Sequence, residues 1–345
     1  MPYRFYNNSE KSWIAMYEAI KQAKVSVYLE MYIFTDDMDQ YDFVSLLNKK
    51  AKEGLRVRII LDSLGSRNLS KESIQILTNA SVEILFISNL FHRTHRKLLI
   101  IDEQIAFIGG VNLTKPSFLW NDLVIRLSGK KTLFHLINSF AKAYIYAGGK
   151  DTNIKVIRKR ILSDKTKTYI YEHFPLTKKF TLKKIYKEHI NNAKKSIILV
   201  TPYFVPKRWF IVLLHQAVLR GVRVEVLIPR NTDHFVFVDR ANYFFISKVS
   251  KLGVDFYIEP YMNHAKAMII DNTEAVVGSQ NLDFLSFNYN SEIGVFLNNQ
   301  DAVSKLLDIV NNWKKASKIF DEKLEKPGFL YYILIPFIRL FVRII

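Results

Sequence analysis

The chain has 345 residues, no cysteine, and 50 Lys+Arg against 32 Asp+Glu, a formal net charge of +18 at pH 7. That length suits about two domains and buries a sizeable core without staples, while zero cysteine excludes a disulfide framework, a thiolate metal site and a cysteine nucleophile. With 49% apolar and 24% charged residues the chain is no disordered polycation, so its surplus charge calls for an anionic partner, either nucleic acid or an acidic membrane surface.

The first ten residues hold no apolar run, so no signal peptide is expected. Val25–Phe34 reads as a buried strand, Tyr41–Lys52 as a helix stopping at Gly54, and Arg56–Asp62 as the next strand. The same order then returns: strand Ser196–Phe204, helix Phe210–Arg220 stopping at Gly221, strand Val222–Ile228. The match is residue by residue. Ala23–Leu29 aligns with Ala193–Leu199 at an offset of 170, Gly54–Ile60 with Gly221–Leu227 at 167, and His95–Asp102 with His264–Asp271 at 169. Drifts of this size are what loop insertions produce, so the chain is two copies of one α/β unit, 1–150 and 180–328, joined by a basic linker at 151–179. Residues 150–195 hold 14 Lys/Arg against four acidic residues, which places +10 of the surplus there.

The chain ends in an apolar tail, 329–345, with ten consecutive apolar residues from Phe329 to Ile338. Pro336 interrupts it, and Arg339 and Arg343 share one helical face, a pattern for lying in a bilayer interface rather than crossing it. The competing reading is a last helix docked on the core. No stretch reaches the roughly 18 uninterrupted apolar residues of a spanning helix.

Two matched constellations carry the chemistry. In the first, His95 and Lys97 are two apart, so on a strand they face the same way, followed by Asp102, Gly109-Gly110 and Asn112. An imidazole and an ammonium on one face meet a phosphate, one attacking or protonating, the other neutralising oxygen. The Asn112 amide can donate to the same phosphate, and the glycines let the backbone approach closely. Asp102 lies at odd parity and is read as structural, paired with Lys or backbone. The second constellation is His264, Lys266, Asp271, Gly278-Ser279 and Asn281. Brought together about a two-fold axis, the copies place two histidines and two lysines around one phosphate. One histidine attacks phosphorus and the other protonates the departing alcohol, with no metal needed. Each histidine needs an orienting acceptor; Asp122, 27 residues after His95, and Glu292, 28 after His264, are the matching candidates. His92, His189, His215 and His234 have no echo in the repeat and are read as surface or core residues. Without HExxH, GxxxxGK[ST] or GxGxxG, zinc-protease, P-loop and Rossmann readings have no support.

Paired HxKxxxxD motifs with trailing glycines and asparagines resemble the phospholipase D superfamily over essentially the whole chain. Glu30–Phe34, Asp62–Ser66, Thr201–Pro206, Gly278–Asp283 and Asn290–Glu292 look more narrowly like bacterial cardiolipin synthases of the short type, without N-terminal spanning helices. The resemblance implies two tandem α/β/α sandwich domains related by a pseudo-two-fold axis, with the active site at their interface and no cofactor. It implies phosphatidyl transfer between phosphatidylglycerols through a phosphohistidine, releasing glycerol. His95 is then the nucleophile and His264 the acid, an assignment open to exchange. Lys97, Lys266, Asn112, Asn281 and Ser279 hold the phosphate, Asp102 and Asp271 complete the motifs, and Asp122 and Glu292 stand behind the histidines. The partner implied is an anionic phospholipid membrane, bound peripherally on the cytoplasmic face of a bacterial cell; nucleic acid is the runner-up. The alternative activity is hydrolysis, by a phospholipase D or a nuclease-type phosphodiesterase. A non-catalytic lipid-binding module is disfavoured by the intact His95, Lys97, His264 and Lys266. Two departures bear on the acceptor alcohol: Leu285 stands where such synthases commonly carry Arg, and the loop from Asn112 to Trp120 is short.

Overall fold

The computed structural model describes residues 3–38, 40–87, 93–151, 168–233 and 236–322. The apolar tail, most of the basic linker, His92 and His234 lie outside the described residues. In chain order the first part contains β1 (Tyr3–Asn8), α1 (Ser9–Gln22), β2 (Ser26–Met31), α2 (Phe43–Lys52), β3 (Arg56–Asp62), α3 (Lys71–Asn79) and β4 (Glu83–Ile87). There follow β5 (Leu98–Ile101), β6 (Ile105–Gly109), β7 (Asn121–Ser128), α4 (Lys130–Tyr146) and β8 (Thr168–His173). The second part contains α5 (Leu182–Asn192), β9 (Ser196–Val200), β10 (Phe204–Val205), α6 (Arg208–Leu219), β11 (Arg223–Pro229), α7 (Val236–Ser250) and β12 (Asp255–Glu259). It continues with β13 (Ala267–Ile270), β14 (Glu274–Gly278), β15 (Leu282–Asp283), α8 (Phe284–Asn288), β16 (Glu292–Leu297), α9 (Gln300–Lys315) and β17 (Lys318–Ile319).

The chain falls into two compact units. The first is 1–179 together with Val277–Ser279 and Asn290–Phe296; the second is Phe180–Val276, Gln280–Tyr289 and the chain from Leu297 onward. Two short pieces of the second copy thus belong to the first unit. Part of the segment read as a linker is built structure: residues 168–173 are β8.

The first unit holds a seven-stranded sheet in the order β1-β7-β6-β5-β2-β3-β4. Strands β2, β3 and β4 are parallel, as helical crossovers require, and β5, β6, β7 and β1 run antiparallel. Alternation along β2 sorts the two faces. Val27, Leu29 and Met31 join one buried cluster with Trp13, Met16 and Ile20 of α1 and Phe43 and Leu47 of α2. Tyr28, on the opposite face, stacks on Phe140 of α4 with ring centroids 5.3 Å apart. Helices therefore cover both faces, giving the α/β/α layering expected.

The second unit repeats the frame. Strands β9, β11 and β12 are parallel, β13 is antiparallel to β9, and β17 closes the edge beside β12. Strand register sets the repeat at 170 in the first strand: Glu30 faces Leu98 across β2–β5, and Val200 faces Ala267 across β9–β13. Helices α2 and α6 both end on a glycine with positive φ, Gly54 at +90° and Gly221 at +82°, where a side chain is strained. The hairpins β5–β6 and β13–β14 turn alike: Asp102 and Glu103 have φ of +52° and +56°, Asp271 and Asn272 +52° and +58°. Positive φ at both central residues is the turn that follows strand twist, and Asp and Asn tolerate it.

Candidate active site

His95, Lys97, His264 and Lys266 do not lie within strands. Each pair occupies a stretch outside any strand or helix, just before β5 or β13. All four are buried. Each lysine turns back on its own motif: Lys97 Nζ donates to the His95 carbonyl at 2.8 Å, and Lys266 Nζ donates to the His264 carbonyl. The ammonium is thereby tied to the backbone of its own histidine in both copies. Lys97 also stands 5.0 Å from the centre of the Tyr32 ring, whose edge meets His95 at 4.8 Å. Tyr203 meets His264 in the same fashion at 6.4 Å, one position displaced in the repeat register. Both tyrosines lie in the synthase-like segments, but nothing in their spacing marked them as site residues.

The ring of His95 is oriented by Glu292. Its Nδ1 lies 3.0 and 3.2 Å from the two Glu292 carboxylate oxygens. Glu292 is fully buried, and His95 N–H and Ser291 carbonyl lock the adjoining backbones at 3.0 Å. This reverses the assignment by spacing, which gave Glu292 to His264. The physical reason is that β16 opens in the first unit, so the acceptor for one copy's histidine is drawn from the other copy's sequence. A ring donating from Nδ1 carries its lone pair on Nε2. Ser279 is also placed differently from the phosphate role expected of it: its hydroxyl donates to Glu292 Oε2 and accepts the Ile293 N–H at 3.1 Å. Asp122 is buried and its Oδ1 accepts from the Leu123 amide at 2.6 Å.

Asn112 and Asn281 are both buried, and in each the Oδ1 atom has no hydrogen-bond partner among the described residues. The same atom is unpaired in both copies, at the positions the repeat equates. The glycines before them serve backbone approach. A Cβ on Gly109 would stand 2.0 Å from the Leu123 carbonyl, so no other residue fits between β6 and β7.

Asp102 and Asp271 face away from this chemistry. Asp102 accepts from the amides of Lys24, Val25 and Ser26 at 2.9, 2.7 and 2.9 Å, tying the β5–β6 turn to the start of β2. Asp271 accepts from Lys194, Lys195 and Ser196 at the same three distances. Partial burial works to raise the Asp271 pKa, but these amides outweigh it and hold the carboxyl below its ordinary range.

A second layer of buried carboxylates, unmarked in the sequence, clamps the residue before each histidine. Thr94 donates from its amide to Asp62 Oδ2 at 3.0 Å and from its hydroxyl to Glu30 Oε1 at 2.7 Å. Asn263 donates to both Glu259 oxygens at 3.0 Å and accepts the Ala265 amide at 3.0 Å. Burial pushes all three carboxyls up, Glu259 to about 7. Glu30 further pairs with Arg96 at 3.3 Å, and Arg96 donates to Ser139 of α4 at 2.6 Å. Among the described residues no His, Asp and Glu cluster has the makings of a metal site, and no helix is long and apolar enough to cross a membrane.

Both copies thus present the same His-x-Lys unit, each histidine buried and each lysine bonded to its own histidine carbonyl. The family described as cardiolipin synthase, phospholipase D-like domain, matches residues 16–144 and 186–313, one match per copy. The chain belongs to that family. It is 32% identical to a cardiolipin synthase of Geobacillus sp. (strain WCH70) over 94% of this chain and 68% of that one. It is likewise 32% identical to the major cardiolipin synthase of Bacillus subtilis (strain 168), over 89% of this chain and 68% of the relative. A cardiolipin synthase 2 of Bacillus anthracis matches at 30%, with 66% of its length covered, so the chain spans about two thirds of these relatives. Among solved structures, phosphatidylserine synthase of Haemophilus influenzae Rd KW20 aligns with a TM-score of 0.80 at 13% identity, covering 98% of this chain and 93% of that one. Polyphosphate kinase of Porphyromonas gingivalis aligns at 0.66, over 98% of this chain and 53% of its own. At such identities these two speak for the fold alone.

Proposed function

We propose that the chain is a phosphatidyltransferase of the cardiolipin synthase type. The observation that carries this is the His95 ring, buried, paired through Nδ1 with Glu292 and flanked by Lys97, in a chain of this family. His95 Nε2 attacks the phosphorus of phosphatidylglycerol, and the bond to glycerol breaks. His264, protonated, gives its proton to the departing glycerol oxygen. The hydroxyl of a second phosphatidylglycerol then loses its proton to His264 and attacks the phosphohistidine, giving cardiolipin and freeing His95. Lys97 and Lys266 neutralise the non-bridging oxygens, with the Asn112 and Asn281 amides completing the cradle. Asp102 and Asp271 anchor the hairpins. The enzyme works as a peripheral protein on the anionic cytoplasmic face of a bacterial membrane.

Incubation of the purified protein with phosphatidylglycerol vesicles and EDTA tests this by product analysis. Cardiolipin and glycerol in equal amounts are expected, and His95→Ala and His264→Ala each abolish them. Phosphatidic acid as the main product, or cleavage of an added oligonucleotide in place of lipid turnover, would replace transfer by hydrolysis.

A further inference from the structure

The basic residues that open the second unit are gathered on an aromatic platform. Lys183 and Lys187, one turn apart on α5, lie over the ring of Trp209 in α6, with Nζ 5.4 and 6.0 Å from its centroid. Lys207, just before α6, stands 4.2 Å over the ring of Phe284 in α8 and donates to Asn288 Oδ1 at 3.2 Å. Trp209 meets Phe287 of α8 edge-on at 5.1 Å, which joins the two halves of the platform. Arg208 is exposed beside them. Among the described residues no carboxylate forms an ion pair with Lys183, Lys187 or Lys207, and the neighbouring Asp283 uses its carboxylate to cap α8 through the Ser286 amide at 2.8 Å. Burial first, and then the Lys183 charge, hold the Lys207 ammonium below the usual lysine range. The protein assembles four cations here and leaves them for something else to neutralise.

We propose that this face, made by α5, the start of α6 and α8, is the surface on which the protein docks to a bilayer rich in anionic phospholipid. It rests on the reading of a membrane phospholipid as substrate. Ammonium groups held over the faces of aromatic rings at the surface suit the headgroup level of a membrane, where amphipathic rings sit and phosphates meet cations. Leu285, 54% exposed beside Phe284, adds aliphatic surface for the acyl boundary. A polynucleotide gains nothing from that leucine, and the ring faces it stacks on are here taken up by lysines. The location fits the chemistry as well. Strands β10 and β15 pair in parallel, Phe204 with Leu282 and Val205 with Asp283. Tyr203, against His264, and Asn281 precede these strands, whereas Lys207 and Phe284 follow them. Phe284 of the platform is thus three residues along the chain from Asn281, about 10 Å at the rise of a strand.

The chain has no cysteine, so one introduced at Leu285 gives a single labelling site for a polarity-sensitive fluorophore. Vesicles of phosphatidylcholine with phosphatidylglycerol should shift the Leu285→Cys probe to the blue, whereas phosphatidylcholine alone should not. A probe at Leu219→Cys, 72% exposed at the far end of α6, should not respond to either. Lys183→Gln/Lys187→Gln/Arg208→Gln should weaken binding to the anionic vesicles by about 100-fold, roughly fivefold per cation removed. Lys21→Gln/Lys52→Gln/Lys71→Gln, an equal charge change in the first unit, should have far less effect. Equal losses in both triple variants, a silent probe at position 285, or loss of oligonucleotide binding with vesicle binding intact would overturn the proposal. Turnover of water-soluble short-chain phosphatidylglycerol keeps the two readings apart. The platform variant should retain it in full, which supports docking. Vesicle binding through this face by a protein that makes no cardiolipin would sink the proposed activity and leave the surface standing.

Discussion

Replacing Glu292 by Gln isolates the contribution of the carboxylate behind His95. The side chain is fully buried and bonds to His95 Nδ1 at 3.0 and 3.2 Å, with Ser279 on its other oxygen. Glutamine keeps the volume and one acceptor but removes the charge that faces the imidazole as it turns cationic during attack. Two unit charges about 4 Å apart at an effective dielectric constant near 20 interact by about 4 kcal/mol. At 1.36 kcal/mol per decade that corresponds to a rate about a thousandfold lower. The misfit of an amide against Ser279 adds a stability loss of about 1–3 kcal/mol. The assay is the initial rate of glycerol release from phosphatidylglycerol vesicles, run beside a thermal melt of the same sample. Glu292→Asp, which keeps the charge one methylene further back, should fall between the two. A Glu292→Gln protein that melts normally and keeps more than about a tenth of the wild-type rate would refute the orienting role.

Asp102→Asn should lower stability by about 2 kcal/mol, since one amide oxygen replaces a carboxylate accepting three backbone N–H groups, with turnover of the folded protein within about twofold. A native melting curve with turnover lost would contradict the anchoring role. Glu259 predicts a pH effect of definite sign. Its folded pKa of about 7 exceeds the ordinary glutamate value of 4.5, so the folded state binds the extra proton between those values. Its contribution is present below pH about 4.5 and is lost as pH rises to about 7, a decline of about 3 kcal/mol. Denaturant titrations across that range should show the decline in wild type and not in Glu259→Gln; parallel curves would refute it. For the buried pair of Glu30 and Arg96, either single alanine variant should cost about 3–5 kcal/mol by stranding the other charge. Glu30→Val/Arg96→Ala should come within about 2 kcal/mol of wild type, and a double variant no better than the worse single would count against the argument.

The duplication carried most of what was legible in advance. Gly54 and Gly221, read as helix stops, adopt the positive φ that only glycine takes easily, and Arg56–Asp62 is a strand from end to end. The motif histidines and lysines lie just ahead of β5 and β13 rather than in them, and each lysine bonds to the carbonyl of its own histidine. The partner of Glu292 was misread for a reason spacing does not reveal. A repeat found in sequence suggests that each copy completes itself, whereas here Asn290–Phe296 belongs to the first unit and carries the carboxylate to a histidine 197 residues away. The clamps at Thr94 and Asn263 were invisible for a similar reason. Asp62 and Glu259 sit on strands whose neighbours are set by sheet order, and nothing in a run of apolar residues announces that one carboxylate will face inward.

The two copies also serve as each other's control for the buried ion pair. Register places Val200 where the first copy has Glu30, and the motif places Ala265 where it has Arg96. The second copy builds the same strands and presents the same histidine and lysine without either charge, so the pair is not what shapes the His-x-Lys segment. Its effect is on what Arg96 reaches. The guanidinium bonds to Ser139 on α4, lies 5.8 Å from the centre of the Phe174 ring after β8, and helps hold Glu172. Burial works to raise the Glu172 pKa, but Lys179, Ser139, Arg96 and Lys142 together bring it down to about 2. Arg96 therefore fastens α4 and β8, elements that follow the first copy's β7, to the backbone between His95 and Lys97. A motif residue between the histidine and the lysine, apolar in one copy and cationic in the other, is where one copy anchors the segment leading into the next.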